Sequence, residues 1–320
     1  MDEFKYLIPE ESADATSLNA QLLRNIEGKL RHIFNHHNYQ ELMLPAFEYA
    51  DLYQTVRNED EESMFLFVGS EGKRITLRTD FTVPIARLYN ASGNGVKRYS
   101  YFGAVYRSQQ RHKGRHTELY QSGIELMGLE GRKGDQECLR IIEETMLSLN
   151  MKSLKLELGS ASFYHRLLEL ADDQRLISIL KKKSVSDMKQ FIASHSYSDD
   201  LNHLLSQLLL SFGTIDELKT IKSYVSDKRL LASLEELEEL YEISAMKSQM
   251  IFDLAMVPTQ SYYTGVMFKG YSSYSPYLIL SGGRYDHLLS YFDSHTPSVG
   301  FSYHMNTLTK AVIKEREDHD

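Results

Sequence analysis

Polar side chains recur at strand-like spacing in the segment YSYFGAVYRSQQRHKGRHTELYQSGIELMG, residues 99–128. The segment predicts two strands joined by a loop that is rich in Arg, Gln, His and Lys. Because side chains alternate across a strand, Gln121, Gly123 and Glu125 share one face of the second strand. A carboxylate beside an amide suits a ligand with an ammonium group, and the glycine between them leaves room for that ligand.

Arginine and aspartate residues lie at similar spacing in two further places. Arg107 shares a face with Tyr101 on the first of the two predicted strands. The segment ITLRTDFTVPIARLY, residues 75–89, places Arg78 and Asp80 on one face of another strand. This second segment strengthens the case for a binding site.

Each of these features also has a structural interpretation. The strand pattern alone slightly favours a solvated sheet face on which Glu125 pairs with a lysine. Asp80 precedes a helix-like run, and aspartate commonly caps the N-terminus of a helix. Spacing alone therefore leaves both a binding role and a structural role open.

The motifs of several common sites do not occur in the sequence. It has no GxGxxG, no correctly spaced GxxxxGK and no GxSxG. The pair His36 and His37 lacks the i,i+4 spacing of helical metal ligands, and Cys138 is the only cysteine. We therefore predict no metal, no cofactor and no disulfide bond.

Composition and charge restrict the class of protein. The net charge of −8 disfavours a general nucleic-acid binder, because phosphate binding needs surplus Lys and Arg. No apolar run approaches membrane-spanning length, and the acidic start MDEFKYLIPEES is not typical of a signal peptide. We expect a cytoplasmic protein that does not bind a membrane.

The elements that must position the candidate residues follow an α+β pattern. Apolar periodicity predicts a helix over residues 14–38, and short segments rich in Tyr, Val and Phe predict a β-rich zone over 39–129. Residues 161–256 contain one glycine and no proline and predict an inserted helical subdomain. Strands are predicted again from residue 257, and a last helix is predicted over 306–314. The predicted strands on both sides of the insert favour one antiparallel sheet.

In this order the segments resemble the catalytic domain of class II aminoacyl-tRNA synthetases, specifically histidyl-tRNA synthetase, over nearly the whole chain. The segment YQELMLPAFEY, residues 39–49, resembles the dimer-forming first motif. Arg107 and the HTELYQSGIELMG strand resemble the second motif, and VGFSYHMNTL, residues 299–308, lies where the third belongs. SYYTGVMF and SGGRYD resemble the two segments that form the histidine pocket in that family. The resemblance implies one synthetase-like domain over residues 1–320, with the helical insertion and without the anticodon-binding domain.

The departures from this family concern the groups that handle ATP. The arginine that acts on the amino-acid carboxylate and the α-phosphate falls at Pro258, and the second arginine of the second motif falls at Thr117. The third motif's GxExR positions hold His304, Asn306 and Thr307. Losing one group that stabilises transition-state charge commonly lowers the rate by about 10²–10³-fold. We therefore predict no catalytic residue.

The amino-acid side of the site matches the family better. Asp80, Gln121 and Glu125 fall at its ammonium-binding positions, with Asp80 replacing a glutamate. Tyr263 and Tyr285 fall at positions near the imidazole ring. The resemblance therefore implies that amino-acid recognition is retained while ATP chemistry is lost.

The cations of the second motif are more ambiguous. Arg107 is a candidate contact for a phosphate or a carboxylate. The loop residues Arg111, Lys113 and Arg115 meet tRNA and ATP in a synthetase. In this acidic chain we favour water or a partner subunit as their contact.

This combination resembles the family of ATP phosphoribosyltransferase regulatory subunits. That family implies a hetero-oligomer with the short-form ATP phosphoribosyltransferase catalytic subunit, which performs the first step of histidine synthesis. It also implies histidine as the feedback effector, a homodimer through the first motif and no tRNA. A stand-alone synthetase-like enzyme that activates an amino acid is the alternative, and a structural partner with a relic pocket is a third hypothesis.

Overall fold

A computed structural model of the chain describes residues 17–93, 95–108 and 117–318. The helices are α1 (Ser17–His36), α2 (Ala50–Arg57), α3 (Thr82–Ser92), α4 (Lys133–Leu149), α5 (Ala161–Ala171), α6 (Arg175–Lys182), α7 (Val185–Ala193), α8 (Asp199–Leu208), α9 (Ile215–Lys222), α10 (Lys228–Ile243) and α11 (Met305–Glu317). Short 3-10 helices span Glu61–Ser63, Lys247–Gln249 and Leu288–Phe292.

The strands form two sheets. The strands are β1 (Gln40–Leu42), β2 (Phe47–Tyr49), β3 (Leu66–Val68), β4 (Arg74–Leu77), β5 (Lys97–Tyr106), β6 (Glu118–Met127), β7 (Leu154–Ser160), β8 (Phe212–Gly213), β9 (Met250–Asp253), β10 (Val266–Ser272), β11 (Ser275–Arg284) and β12 (Ser298–His304). The nine-stranded sheet has the order β1-β5-β6-β12-β11-β10-β7-β9-β8, and the small sheet has the order β2-β4-β3. The α+β class is confirmed.

The large sheet is mixed rather than purely antiparallel. The pairs β5–β6, β6–β12, β12–β11, β11–β10 and β10–β7 are antiparallel. The pairs β1–β5 and β7–β9 are parallel. Parallel neighbours need a crossover connection. Here the crossovers are the long segments between β1 and β5 and between β7 and β9. The predicted antiparallel sheet therefore holds for the centre of the sheet but not for these two pairs.

The region between β7 and β9 is mostly helical, as α5–α10, with the two-residue β8 inside it. Its frequent Ser, Thr and Asp residues act as N-caps that divide it into short helices. Thr214 forms a full capping box with Glu217 before α9, and Asp227 accepts from the amides of Arg229 and Leu230 in the first turn of α10. Within the described residues, no helix is long and apolar enough to span a membrane.

One face of the large sheet packs on helices, and the other contributes to a cavity. Ile26 and Leu30 of α1, Ile142 of α4 and Leu308 of α11 belong to one buried cluster together with Leu156 of β7. A second cluster on the cavity side joins α2 and α3 to aromatic residues of the sheet and its loops. The cavity side therefore has its own core, which fixes the position of the polar groups.

Close approach at the centre of the sheet requires glycine. Gly300 of β12 lies opposite Glu125 of β6, and a Cβ at Gly300 would collide with the Glu125 carboxylate and with the Ile124 carbonyl oxygen. Gly28, in contrast, lies in α1 with open space where a Cβ would stand.

We predict opposite effects for alanine at these two glycines. Gly300→Ala should lower the free energy of unfolding by about 2 kcal/mol or more, because the collision involves backbone and a buried side chain. Gly28→Ala should raise it by up to about 1 kcal/mol, because alanine favours an exposed helix interior. Urea denaturation measures both changes. Equal stability of the two variants would contradict this view of the sheet centre.

Candidate ligand-binding site

The predicted site residues come together around one cavity of about 340 Å³. The predicted residues that line it are Asp80, Arg107, Gln121, Glu125, Tyr263 and Tyr285. They come from the turn before α3, the end of β5, the strand β6 and the segments that flank β10 and β11. A cavity of this volume lies in the range of small-molecule sites.

Glu125 lines the cavity and is buried, with 2% of its surface exposed. Thr82 Oγ1 donates a hydrogen bond to Glu125 Oε1 at 2.6 Å, and the Tyr285 hydroxyl donates to Oε2. Burial raises the pKa of Glu125 to about 8, although the two hydroxyl donors lower it. The alternative of a solvated sheet face with Glu125 paired to a lysine is therefore wrong.

Asp80 has a structural role and faces the cavity as well. Its Oδ1 accepts from the backbone N–H of Val83 at 3.1 Å and so satisfies one of the free amides at the start of α3. Its Oδ2 lies 3.1 Å from Arg57 Nη1 and accepts no well-oriented hydrogen bond from the described residues. This second oxygen can take a donor from a ligand.

No motif or spacing in the sequence pointed to Arg57, which ends α2 in a polar stretch. Its Nη1 lies 3.1 Å from Glu59 Oε2 and donates to Thr79 Oγ1 at 2.9 Å, and its Nε donates to Gln260 Oε1 at 3.2 Å. Together with the contact to Asp80, these bonds join segments that are more than 200 residues apart in the chain. Such contacts between distant segments have no local sequence pattern.

The expected room above Gly123 is not available to a ligand. Tyr101 lies opposite Gly123 in the strand register, and its hydroxyl stands where a Cβ of Gly123 would be. Gly123 therefore makes room for a buried tyrosine rather than for a bound molecule. The prediction that this glycine opens the site was wrong, although its two neighbours on the face, Gln121 and Glu125, do line the cavity.

Tyrosine rings form a further part of the cavity lining, next to the Glu125 carboxyl group. Tyr262 packs edge-on against both Tyr263 and Tyr285, with ring centroids 5.6 and 5.8 Å apart. Burial raises the pKa of all three hydroxyl groups, so these groups remain protonated donors at neutral pH. The wall therefore offers apolar ring faces together with hydroxyl groups.

Arg107 and His304 lie at another part of the cavity lining. Arg107 Nε donates to the Thr79 carbonyl oxygen at 2.9 Å, and burial lowers the pKa of its guanidinium. His304 Nε2 lies 3.3 Å from Ser281 Oγ, and burial and the Arg107 charge lower its pKa to about 4. The sequence placed His304 only among the lost ATP contacts.

Of the other cationic residues considered in the sequence, none that the structure describes lines the cavity. Arg78 is buried outside the site, where it donates to the carbonyl oxygens of Ala104, Leu44 and Pro45. It fastens the turn before β2 to β5 and does not line the cavity. The residues Arg111, Lys113 and Arg115 lie outside the described residues.

The positions at which the synthetase arginines are missing differ in their solvent exposure. Pro258 is half-buried in the segment between β9 and β10, and Thr307 is half-buried in α11. Asn306 is exposed, and the carbonyl oxygen of Thr117 accepts from the Arg107 amide at 2.9 Å. None of these side chains is among the described residues that line the cavity.

Comparisons with known proteins agree with this architecture. A family model described as histidyl-tRNA synthetase matches residues 12–308. The chain is 41% identical to an ATP phosphoribosyltransferase regulatory subunit from Lactococcus lactis subsp. lactis, over 100% of this chain and 99% of the relative. A second such subunit, from Lactococcus lactis subsp. cremoris, is 44% identical over 98% of this chain and 99% of its own.

A solved structure is similar over most of the chain. It is described as an ATP phosphoribosyltransferase regulatory subunit/histidyl-tRNA synthetase from Bacillus halodurans. It superposes with a TM-score of 0.87 at 26% identity, covering 97% of this chain and 83% of that one.

The raised pKa of Glu125 predicts a pH dependence of stability. Between about pH 4.5 and about pH 8 the folded protein keeps a proton that the unfolded chain releases, so the free energy of unfolding falls as pH rises. Glu125→Gln cannot release this proton. Between about pH 5 and about pH 8, the variant should gain on the order of 3 kcal/mol relative to the wild type.

Urea denaturation of both proteins at several pH values measures this difference. A constant difference across the range would mean that Glu125 is already ionised in the folded protein.

Proposed function

The chain belongs to the ATP phosphoribosyltransferase regulatory subunits, and from this premise we propose that it activates a short-form catalytic subunit, catalyses no reaction itself and senses histidine. The wider domain family is that of histidyl-tRNA synthetase. The proposed assembly contains the short-form ATP phosphoribosyltransferase catalytic subunit and no tRNA. The partner performs the first step of histidine synthesis.

The observation that carries the sensor role is the pair of buried carboxyl groups that line one cavity. Asp80 and Glu125 both line it, and the Gln121 amide lies with them. A buried carboxylate is stabilised by a cationic partner, so the cavity favours a ligand that brings N–H donors. Tyr263 and Tyr285 offer ring faces to an imidazole ring, and Tyr263 also offers its hydroxyl group.

The proposed lack of catalysis rests on the small number of cations that line the cavity. Adenylate formation needs several cations around the phosphates. Among the described residues that line the cavity, Arg107 is the permanent cation. Arg57 lies close by but is paired with Asp80 and Glu59. The cavity therefore supports amino-acid binding better than ATP activation.

Feedback follows from linkage if histidine binds one state of the assembly better than another. A ligand shifts such an equilibrium only by its difference in affinity for the two states. The pocket makes such a difference possible, because α3, the large sheet and the segment between β9 and β10 all contribute residues to its lining.

A homodimer through the first motif is part of the proposal. Met43 is 96% exposed between β1 and β2, and Phe47 and Tyr49 of β2 are about half exposed. Val68 of the same small sheet is 79% exposed, and Phe67 packs edge-on against Phe47. An apolar patch of this kind favours contact with another protein surface.

Reconstitution with the catalytic subunit from the same organism tests the sensor. Asp80→Asn and Glu125→Gln should raise the histidine concentration for half-inhibition by about tenfold or more, because the first removes a charged acceptor and the second removes a carboxyl group that can ionise when a cation binds. Inhibition is measured relative to the uninhibited activity of each variant's own complex. Glu235→Gln, on the exposed surface of α10, should leave the inhibition unchanged.

Unchanged inhibition in both pocket variants would place the feedback site elsewhere. Robust exchange of pyrophosphate into ATP by the chain alone, in the presence of histidine, would contradict the non-catalytic role.

The proposed dimer predicts an effect of charge in the exposed patch. Met43→Asp and Val68→Asp together should shift the isolated chain towards monomers, because two carboxylates from each protomer would be buried in the interface. Leu147→Asp, at a 76% exposed position of α4, is the matched control. Sedimentation velocity reads the result, and an unchanged dimer in the double variant would exclude this patch as the interface.

A further inference from the structure

We infer that His304, Ser281 and Arg107 form a carboxylate-binding corner of the cavity, which holds the acidic end of the amino-acid ligand. This inference rests on the proposed sensor function and names the side chains that would replace the lost arginine at Pro258. It gives a binding role to a histidine and a serine that lie on two neighbouring strands.

The strand register places the corner beside the predicted ligand contacts. His304 at the end of β12 lies directly opposite Gln121 of β6, so the two side chains stand next to each other on the cavity face. Ser281 of β11 comes within 3.3 Å of the imidazole. Arg107 follows the last residue of β5, and all of these residues line the same cavity.

The distribution of charged groups in the cavity favours a ligand that carries both a positive and a negative group. Asp80 and Glu125 supply carboxyl groups, whereas Arg107 supplies a positive charge near His304. The positive end of the α11 dipole adds to the potential there, because α11 begins at Met305. A zwitterionic amino acid matches this arrangement with its ammonium and its carboxylate groups.

His304 serves this corner as a neutral donor. Its low pKa keeps the ring uncharged at neutral pH, and a neutral imidazole has one N–H and one acceptor nitrogen. If Ser281 donates its hydroxyl hydrogen to Nε2, the ring proton lies on Nδ1, which can donate to an anion. A bound carboxylate would select this tautomer.

The charge balance favours a carboxylate over a phosphate. A phosphate ester carries a charge near −2, and nucleotides carry more. The corner offers one guanidinium and one neutral ring, and the nearby Arg57 is paired with Asp80 and Glu59. One cation with a neutral donor suits a single negative charge.

Calorimetric titrations of the full chain with three probes test the corner. L-histidine carries the carboxylate, histidinol has a hydroxymethyl group in its place, and histidinol phosphate carries a phosphate ester instead. The proteins are the wild type, His304→Ala, Ser281→Ala and His32→Ala, the last at an exposed position of α1. Near-UV circular dichroism checks that each variant is folded.

The decisive quantity is the ratio of the affinities for histidine and histidinol. We expect the wild type and His32→Ala to prefer histidine by at least about tenfold, as loss of a hydrogen bond to a charged group implies. His304→Ala should remove most of this preference, and Ser281→Ala should reduce it by a smaller factor. Neither variant should change the affinity for histidinol by more than about twofold.

Other outcomes overturn the inference in distinguishable ways. If histidine binds and His304→Ala keeps the full preference over histidinol, the corner is wrong and the sensor function stands. If histidinol phosphate binds the wild type more tightly than histidine, the corner is a phosphate site. If none of the probes binds the wild type, both the corner and the sensor function fail.

Discussion

Burial of the Glu125 carboxyl group is the constraint around which the cavity is built. It has two hydroxyl donors, Thr82 and Tyr285, and no cation pairs with it in the part of the chain that the structure describes. Gly300 on the neighbouring strand is needed for its side chain to fit. Because an unpaired buried carboxylate is unfavourable, the group retains its proton until about pH 8. A cationic ligand would reverse this balance, which makes the site responsive to the charge of its occupant.

Asp80, unlike Glu125, is paired with a cation. It is anchored to α3 by one oxygen and paired with Arg57 by the other. Arg57 in turn contacts Glu59, Thr79 and Gln260, so one guanidinium connects the end of α2 with two distant segments. Under the proposed function, a ligand ammonium at Asp80 shares this carboxylate with Arg57. Binding would then act on a bond that holds α2 and the adjoining small sheet in place.

Local pattern was enough for the parts of the site that lie on one strand. Alternation along β6 placed Gln121 and Glu125 on a common face, and both line the cavity. The same alternation misled at Gly123, because the residue that fills its space comes from the neighbouring strand. Arg57 and the Ser281–His304 contact depend on segments that meet only in the folded chain. For the same reason, the parallel pairing of β1 with β5 could not be predicted from the residue pattern of the two strands.

A crystal structure of the chain with its catalytic subunit, grown with histidine under inhibiting conditions, tests the sensor most directly. We expect histidine in this cavity, with its ammonium group at Asp80 and Gln121 and its ring against Tyr263 and Tyr285. Histidine bound elsewhere in the inhibited assembly, with this cavity empty, would exclude the cavity as the histidine sensor.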